Sequence, residues 1–191
     1  MHIGKKMDKQ YRLALLILLI PLITLVASTL TFYLGYKPSE INANGNPLEP
    51  KIDTTNLNLI KNSGEQFIFE PGKWYFVYFD DFDNEEFSLD RYTIARSSKA
   101  TLRRESHRLR RLVIYKDIEK FNKAESLRAK FPEVIFLYDK DNLFKQRISE
   151  NLSDPYISKS MFLVDSFALV VWEFNVSLSF SDIFEDLEIL L

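Results

Sequence analysis

The sequence predicts an α/β fold: a mixed central sheet with flanking helices, set behind one N-terminal transmembrane helix. Three observations carry that expectation. Residues 13–36 contain no charged side chain and are dominated by Leu and Ile. Beyond them, short aromatic and β-branched runs alternate with amphipathic stretches. Near the C-terminus two apolar runs are separated only by Asp165-Ser166-Phe167, the pattern of a hairpin, and one last amphipathic stretch follows.

Composition sets the outer limits. A chain of 191 residues accommodates one membrane segment and one domain, and sixteen Phe with nine Tyr give that domain a substantial core. The formal net charge of −2 argues against a general nucleic-acid binder. The absence of cysteine excludes disulfides, thiol catalysis, iron–sulfur clusters and cysteine zinc sites. With His2 and His107 as the only histidines, a histidine-rich metal site within one chain is excluded as well.

Taken in order, residues 1–12 carry Lys5, Lys6, Lys9 and Arg12 against Asp8, and residues 13–36 are long enough to cross roughly 30 Å of hydrocarbon as a helix. Pro21 is tolerable there, and Phe32, Tyr33 and Tyr36 stand where an interfacial aromatic belt would lie. The alternative is a cleaved signal peptide, whose apolar region normally runs about 7–15 residues before a small-x-small cleavage site. Here the apolar run is longer and Ala27-Ser28-Thr29 lies within it, so an uncleaved anchor is expected. Basic residues before the span place residues 1–12 in the cytoplasm and the rest outside. In a bacterium this is an inner-membrane protein with a periplasmic domain. Residues 37–63, with Pro38, Pro47, Pro50, Gly45 and scattered Asn, read as a linker that lifts a domain of residues 64–191 off the membrane.

Within that domain Phe67-Ile68-Phe69 is a short strand candidate, and Pro71-Gly72 turns into the aromatic run Trp74–Phe79, a buried strand. A polar helix follows. It opens on Asp80, Asp81, Asp83, Glu85 and Glu86 and runs on through the bases from Arg91 to Arg111, an asymmetry that suits the helix dipole. Ala95, Ser98, Leu102 and Leu109 supply its thin apolar face. Leu112–Tyr115 is the next strand, 118–130 a helix with Phe121, Ala124, Leu127 and Ala129 inward, and 134–138 a third strand. A short helix at 141–149 precedes the hairpin, 161–164 and 168–174. A closing helix is capped by Ser179 or Ser181, with Ile183, Phe184, Leu187, Leu190 and Leu191 inward and Asp182, Glu185, Asp186 and Glu188 toward water. The crossover rule makes the first strands parallel, and the hairpin is antiparallel. That is the thioredoxin-like arrangement.

At this point the chain resembles a family: the small membrane-anchored thioredoxin-like proteins of proteobacteria associated with cytochrome c oxidase assembly, distant relatives of the Sco/SenC copper chaperones. The resemblance rests on Phe32-Tyr33-Leu34-Gly35-Tyr36 ending the anchor and on Asn44, Gly45, Leu48 and Pro50. It continues through Gly72-x-Trp74, Arg108-Leu109-Arg110-Arg111-Leu112, Phe162-Leu163-Val164-Asp165, and the terminal Asp186-Leu187 and Leu190-Leu191. Members that keep a site carry two cysteines just after the first core strand, three residues apart. Those degenerate cysteine positions fall on Asn84 and Ser88. A Sco-like copper site also needs a histidine shortly before the hairpin, and Ser153 to Ser160 holds none. Pro155 lies several residues early for the cis-proline that thioredoxins place directly before the hairpin. Copper transfer needs soft thiolates and imidazole, so neither copper transfer nor disulfide exchange by this chain alone is expected, and no cofactor is implied.

The residues offer no recognisable catalytic constellation. His107 among arginines and Ser97, Ser98, Ser106 and Asp117 read as helix surface, and Trp74 and Trp172 as packing. Asp81, Asp83 and Glu85 are weak candidates for a hard cation, since the loop lacks the glycine and terminal glutamate of a calcium loop. Arg103, Arg104 and Arg108 are the partner-binding candidates, facing an anionic protein surface or anionic lipid, against the plainer reading of a solvated helix. The function expected is therefore non-catalytic: an accessory or scaffold in respiratory haem–copper oxidase assembly. By resemblance its partners are oxidase subunits or assembly factors, with no nucleic acid and no small-molecule substrate. The alternative is a divalent-cation-binding or general interaction module of the periplasm unrelated to the oxidase.

Overall fold

A computed structural model describes residues 9–34 and 43–191. It divides into two compact units, residues 1–42 and 43–191. Lys5, Lys6 and Asp8 before the span, Gly35-Tyr36 at its end, and residues 37–42 lie outside the described residues.

In the first unit, α1 runs from Lys9 to Tyr33, and Leu13–Thr31 within it, at a mean hydropathy of 2.7, is long and apolar enough to cross a membrane. Its threonines bond back into the helix, as apolar surroundings demand. Thr24 donates to the Pro21 carbonyl at 2.8 Å and Thr29 to the Leu25 carbonyl at 2.7 Å.

The second unit is a seven-stranded sheet in the order β1-β7-β6-β3-β4-β5-β2. Its centre is β3 (Trp74–Phe79), parallel to β4 (Leu109–Tyr115), which is parallel in turn to β5 (Ile135–Asp139). On the other side β3 pairs antiparallel with β6 (Met161–Val164), the first arm of the hairpin completed by β7 (Leu169–Phe174). The fold is thus α/β with a mixed sheet, as the patterning predicts.

The edges differ from the sequence reading. Residues 37–63 are not a spacer throughout: β1 (Asn46–Asp53) pairs antiparallel with β7, and β2 (Leu59–Lys61) pairs antiparallel with β5. Pro47 and Pro50 fit an edge strand, where a missing N–H leaves no ladder bond unmade. Leu48, Ile52, Leu57 and Leu59 are buried along this stretch. Phe67-Ile68-Phe69 is not a strand. A single bridge at Gln66 joins it to Ile60, Phe67 is buried beneath β2 and Ile68 is exposed.

Helices cover both faces. One core holds Tyr75, Val77, Phe79, Leu112, Ile114, Phe144, Ile148 and Phe162 under α5 (Leu143–Ser149) and α6 (Pro155–Ser158). The other holds Phe76, Tyr78, Tyr92, Val113, Phe131, Leu163, Ile183 and Leu187 under α2 (Glu85–Thr101), α4 (Glu125–Ala129) and α7 (Phe180–Leu190). Two helices are shorter than their patterns suggest. The basic helix ends at Thr101, and residues 103–107 form a 3-10 turn that begins at Arg103 with φ +45°. Arg110 and Arg111 therefore belong to β4. The 118–130 stretch breaks at Ala124 into α3 (Ile118–Lys123) and α4, which leaves Ala129 exposed.

Asp186 is the clearest reversal. It does not face water: its carboxylate is buried and accepts the backbone N–H of Asn44 at 3.0 Å, that of Gly45 at 2.7 Å and Trp172 Nε1–H at 3.2 Å. A Cβ on Gly45 would stand 2.5 Å from Trp172 Nε1, so only glycine lets the backbone come this close.

Candidate functional site

The carboxyl end of β3 delivers Asp80 and Asp81 to the loop that opens α2. Asp80 is buried. One of its oxygens accepts the Tyr92 hydroxyl and the other the Phe82 N–H at 2.8 Å. Burial pushes its pKa up, against the opposing pull of those hydrogen bonds and of Lys159. Phe82 takes φ +58°, an unfavourable conformation for a bulky L-residue. Asp80 holds its N–H, Asp81 accepts the following N–H of Asp83 at 3.2 Å, and the Phe82 ring lies 6.1 Å from Tyr115 and 6.0 Å from Phe121. The turn is therefore over-determined by its neighbours.

Asn84 and Ser88 sit at the start of α2, but as structural groups. Asn84 is the N-cap, its side-chain oxygen accepting the Phe87 N–H at 3.0 Å. Ser88 is buried, and its hydroxyl donates to the Asn84 carbonyl at 3.1 Å. The loop before β6, which by the sequence resemblance would carry a histidine, holds Lys159. Lys159 has φ +53° and its ammonium lies 2.7 Å from Asp81. Burial opposes ionisation of Asp81, but the Lys159 hydrogen bond and the Asp83 N–H outweigh it and leave its pKa below the ordinary value.

The three acids weighed as weak candidates for a cation diverge. Asp81 faces Lys159, Asp83 faces Lys120 of α3, and Glu85 faces Lys130 at 3.6 Å. Asp83 and Glu85 are mostly exposed, so solvent screening leaves their pairs contributing little to stability. Among the described residues no group of three or more His, Asp or Glu side chains is placed to hold a metal ion. Copper does not fit either: the side chains here are an amide, a hydroxyl and carboxylates, with the Lys159 ammonium group against Asp81.

The three partner-binding candidates separate as well. Arg103 and Arg104 are exposed on the 3-10 turn. Arg108 is committed inside the domain, donating at 2.9 Å to both Glu105 Oε2 and the Leu191 carbonyl. The sequence reading had no signal for Lys159 as the partner of Asp81, or for the burial of Asp80. Both occupy loops in which the sequence resemblance looks for ligands.

With this geometry in view, the chain can be set beside known proteins. No family model matches it, and no curated protein sequence matches it significantly. Solved structures do. The copper-bound ScoI of Arabidopsis thaliana superposes with a TM-score of 0.55 at 16% identity, over 76% of this chain and 96% of that one. BsSco, a member of the Sco family of cytochrome c oxidase assembly proteins, gives 0.53 at 14% identity, over 75% and 94%. The bacterioferritin comigratory protein of Xanthomonas campestris, described by its alkyl peroxide reduction activity, gives 0.53 at 15% identity, over 78% and 97%. The fold is thioredoxin-like. At these identities the likeness is one of fold, shared by the Sco proteins and the bacterioferritin comigratory protein alike.

Proposed function

We propose that this chain is a non-catalytic, membrane-anchored accessory or scaffold protein of respiratory haem–copper oxidase assembly, acting through protein contacts from the periplasmic face of the inner membrane. One observation carries the reading. The loop–helix corner where a thioredoxin-like fold does its chemistry is kept in shape by the Asp80–Tyr92 bond, the Asn84 cap and the Asp81–Lys159 pair, while the chain has no thiol to act there. The oxidase link draws on the sequence resemblance and on the Sco neighbours, since fold alone does not specify an activity.

The test is affinity purification of the full-length chain in mild detergent, followed by mass spectrometry. Oxidase subunits or copper- and haem-insertion factors should be enriched; recovery without any of them would end the oxidase reading. Reversing the charge of Arg103 and Arg104 together should weaken that capture while the domain stays folded. Arg108 is unsuitable for this purpose, because reversing it also breaks its bonds to Glu105 and the C-terminal carbonyl.

A further inference from the structure

A second feature lies away from the corner. Arg96 and Lys99 of α2, Arg111 of β4, and Lys130 and Glu133 beyond α4 line a cleft of about 480 Å³, with Ser106 at its rim. Arg111 occupies an inward strand position between Leu109 and Val113, where an apolar side chain would be ordinary. Its side chain is 4% exposed, Nη2 donates to Glu133 Oε2 at 2.9 Å, and Nε and Nη1 have no protein partner. A buried guanidinium with donors unspent is costly. The same Glu133 oxygen lies 3.8 Å from Lys99 Nζ, and Glu133 is itself 70% exposed. Arg96 is held by stacking on the Phe131 ring at 5.1 Å. Burial first, then the neighbouring Arg111 and Arg110, push the Lys99 pKa down against the pull of Glu133.

We propose that this cleft is an oxyanion-binding site, in which a phosphate-type group takes the place of the Glu133 carboxylate between Arg111 and Lys99. The Glu133 carboxylate already marks where an anionic oxygen fits. Its exposure lets it swing out, and its departure leaves a doubly charged group facing Arg96, Lys99 and Arg111. A solvated basic surface would have no buried member, whereas Arg111 is built into the sheet. The site is independent of the assembly reading, and its residues are distinct from Arg103 and Arg104.

The experiment is calorimetric titration of the full-length chain in neutral detergent at low ionic strength, with inorganic phosphate and with soluble dihexanoyl phosphatidic acid in separate runs. Saturable phosphate binding is expected. Glu133→Gln should tighten it by roughly tenfold, the scale of removing one competing charge-assisted contact, and Lys99→Gln should weaken it by a similar factor. Arg103→Gln/Arg104→Gln should leave it unchanged. If only the lipid analogue binds with this pattern of variants, the oxyanion is supplied by a headgroup. Binding of neither probe, or binding indifferent to Glu133→Gln and Lys99→Gln, overturns the proposal. Because Glu133→Gln removes the carboxylate partner of buried Arg111, circular dichroism melts accompany both variants, and Lys99→Gln, which leaves that pair intact, carries the test if Glu133→Gln does not fold.

Discussion

Asp80 shows how much one residue can hide in a sequence. An acid closing an apolar run ordinarily marks the exit of a strand into water, and Asp80 reads that way. Its burial depends on Tyr92, a turn and more into the next helix, donating its hydroxyl, and on the Phe82 N–H turning back. No local pattern encodes that meeting. Its consequence is a definite pH dependence. Because the folded pKa is raised above the unfolded value of about 3.9, the native state holds more protons than the unfolded one between those two values. The Asp80 contribution is therefore most favourable at low pH, declines as pH rises through the folded pKa, and stays at its lower level above it. Asp80→Asn keeps the shape and one acceptor while removing the charge. The variant should gain stability relative to the parent as pH rises from about 4 toward 7. Chemical denaturation of both proteins across that range checks it, and a constant difference would show that Asp80 stays ionised throughout.

At the scale of elements, patterning identified what periodicity controls and missed what long-range pairing controls. The run Trp74–Phe79, the hairpin arms and the Ser179 cap stand where the sequence places them. The closing helix has the expected apolar face of Ile183 and Leu187, yet Asp186 lies between them in sequence and turns inward to the Asn44-Gly45 backbone. A charged residue on an amphipathic helix defaults to the water side, because burial depends on donors far away in the chain. The same distance explains β1, whose proline-rich sequence looks like linker until β7 supplies the partner. This junction is directly testable. Gly45→Ala forces a methyl group against Trp172 and should cost roughly 1–3 kcal/mol. Asp186→Ala leaves the Gly45 N–H and the Trp172 Nε1–H without an acceptor and should cost roughly 2–4 kcal/mol. Equilibrium urea unfolding measures both. A loss below about 0.5 kcal/mol, the level of an ordinary surface change, would mean that β1 is not anchored at this point.

For the molecule as a whole, the parallel centre was legible because Trp74–Phe79, Leu112–Tyr115 and residues 134–138 are continuous apolar runs separated by helical patterns, and strands joined through a helix in one sheet run parallel. The domain boundary was not legible. Length, proline and asparagine placed it at residue 64, whereas the compact unit begins at Ala43. Leu48, Ile52, Leu57 and Leu59 are all buried in the intervening stretch. At about 1.5–3 kcal/mol for each side chain, together they contribute about 6–12 kcal/mol. That is comparable to the entire net stability of a typical domain, about 5–15 kcal/mol. Losing β1 and β2 would also bare the backbone edges of β7 and β5, a template for association between chains. A chain cut to residues 43–191 should therefore unfold in a single cooperative transition, and one cut to residues 64–191 should be unfolded or aggregated under the same conditions. Circular dichroism melts with size-exclusion chromatography separate the two cases. A folded, monomeric 64–191 fragment would restore the linker reading and demote both edge strands to attachments.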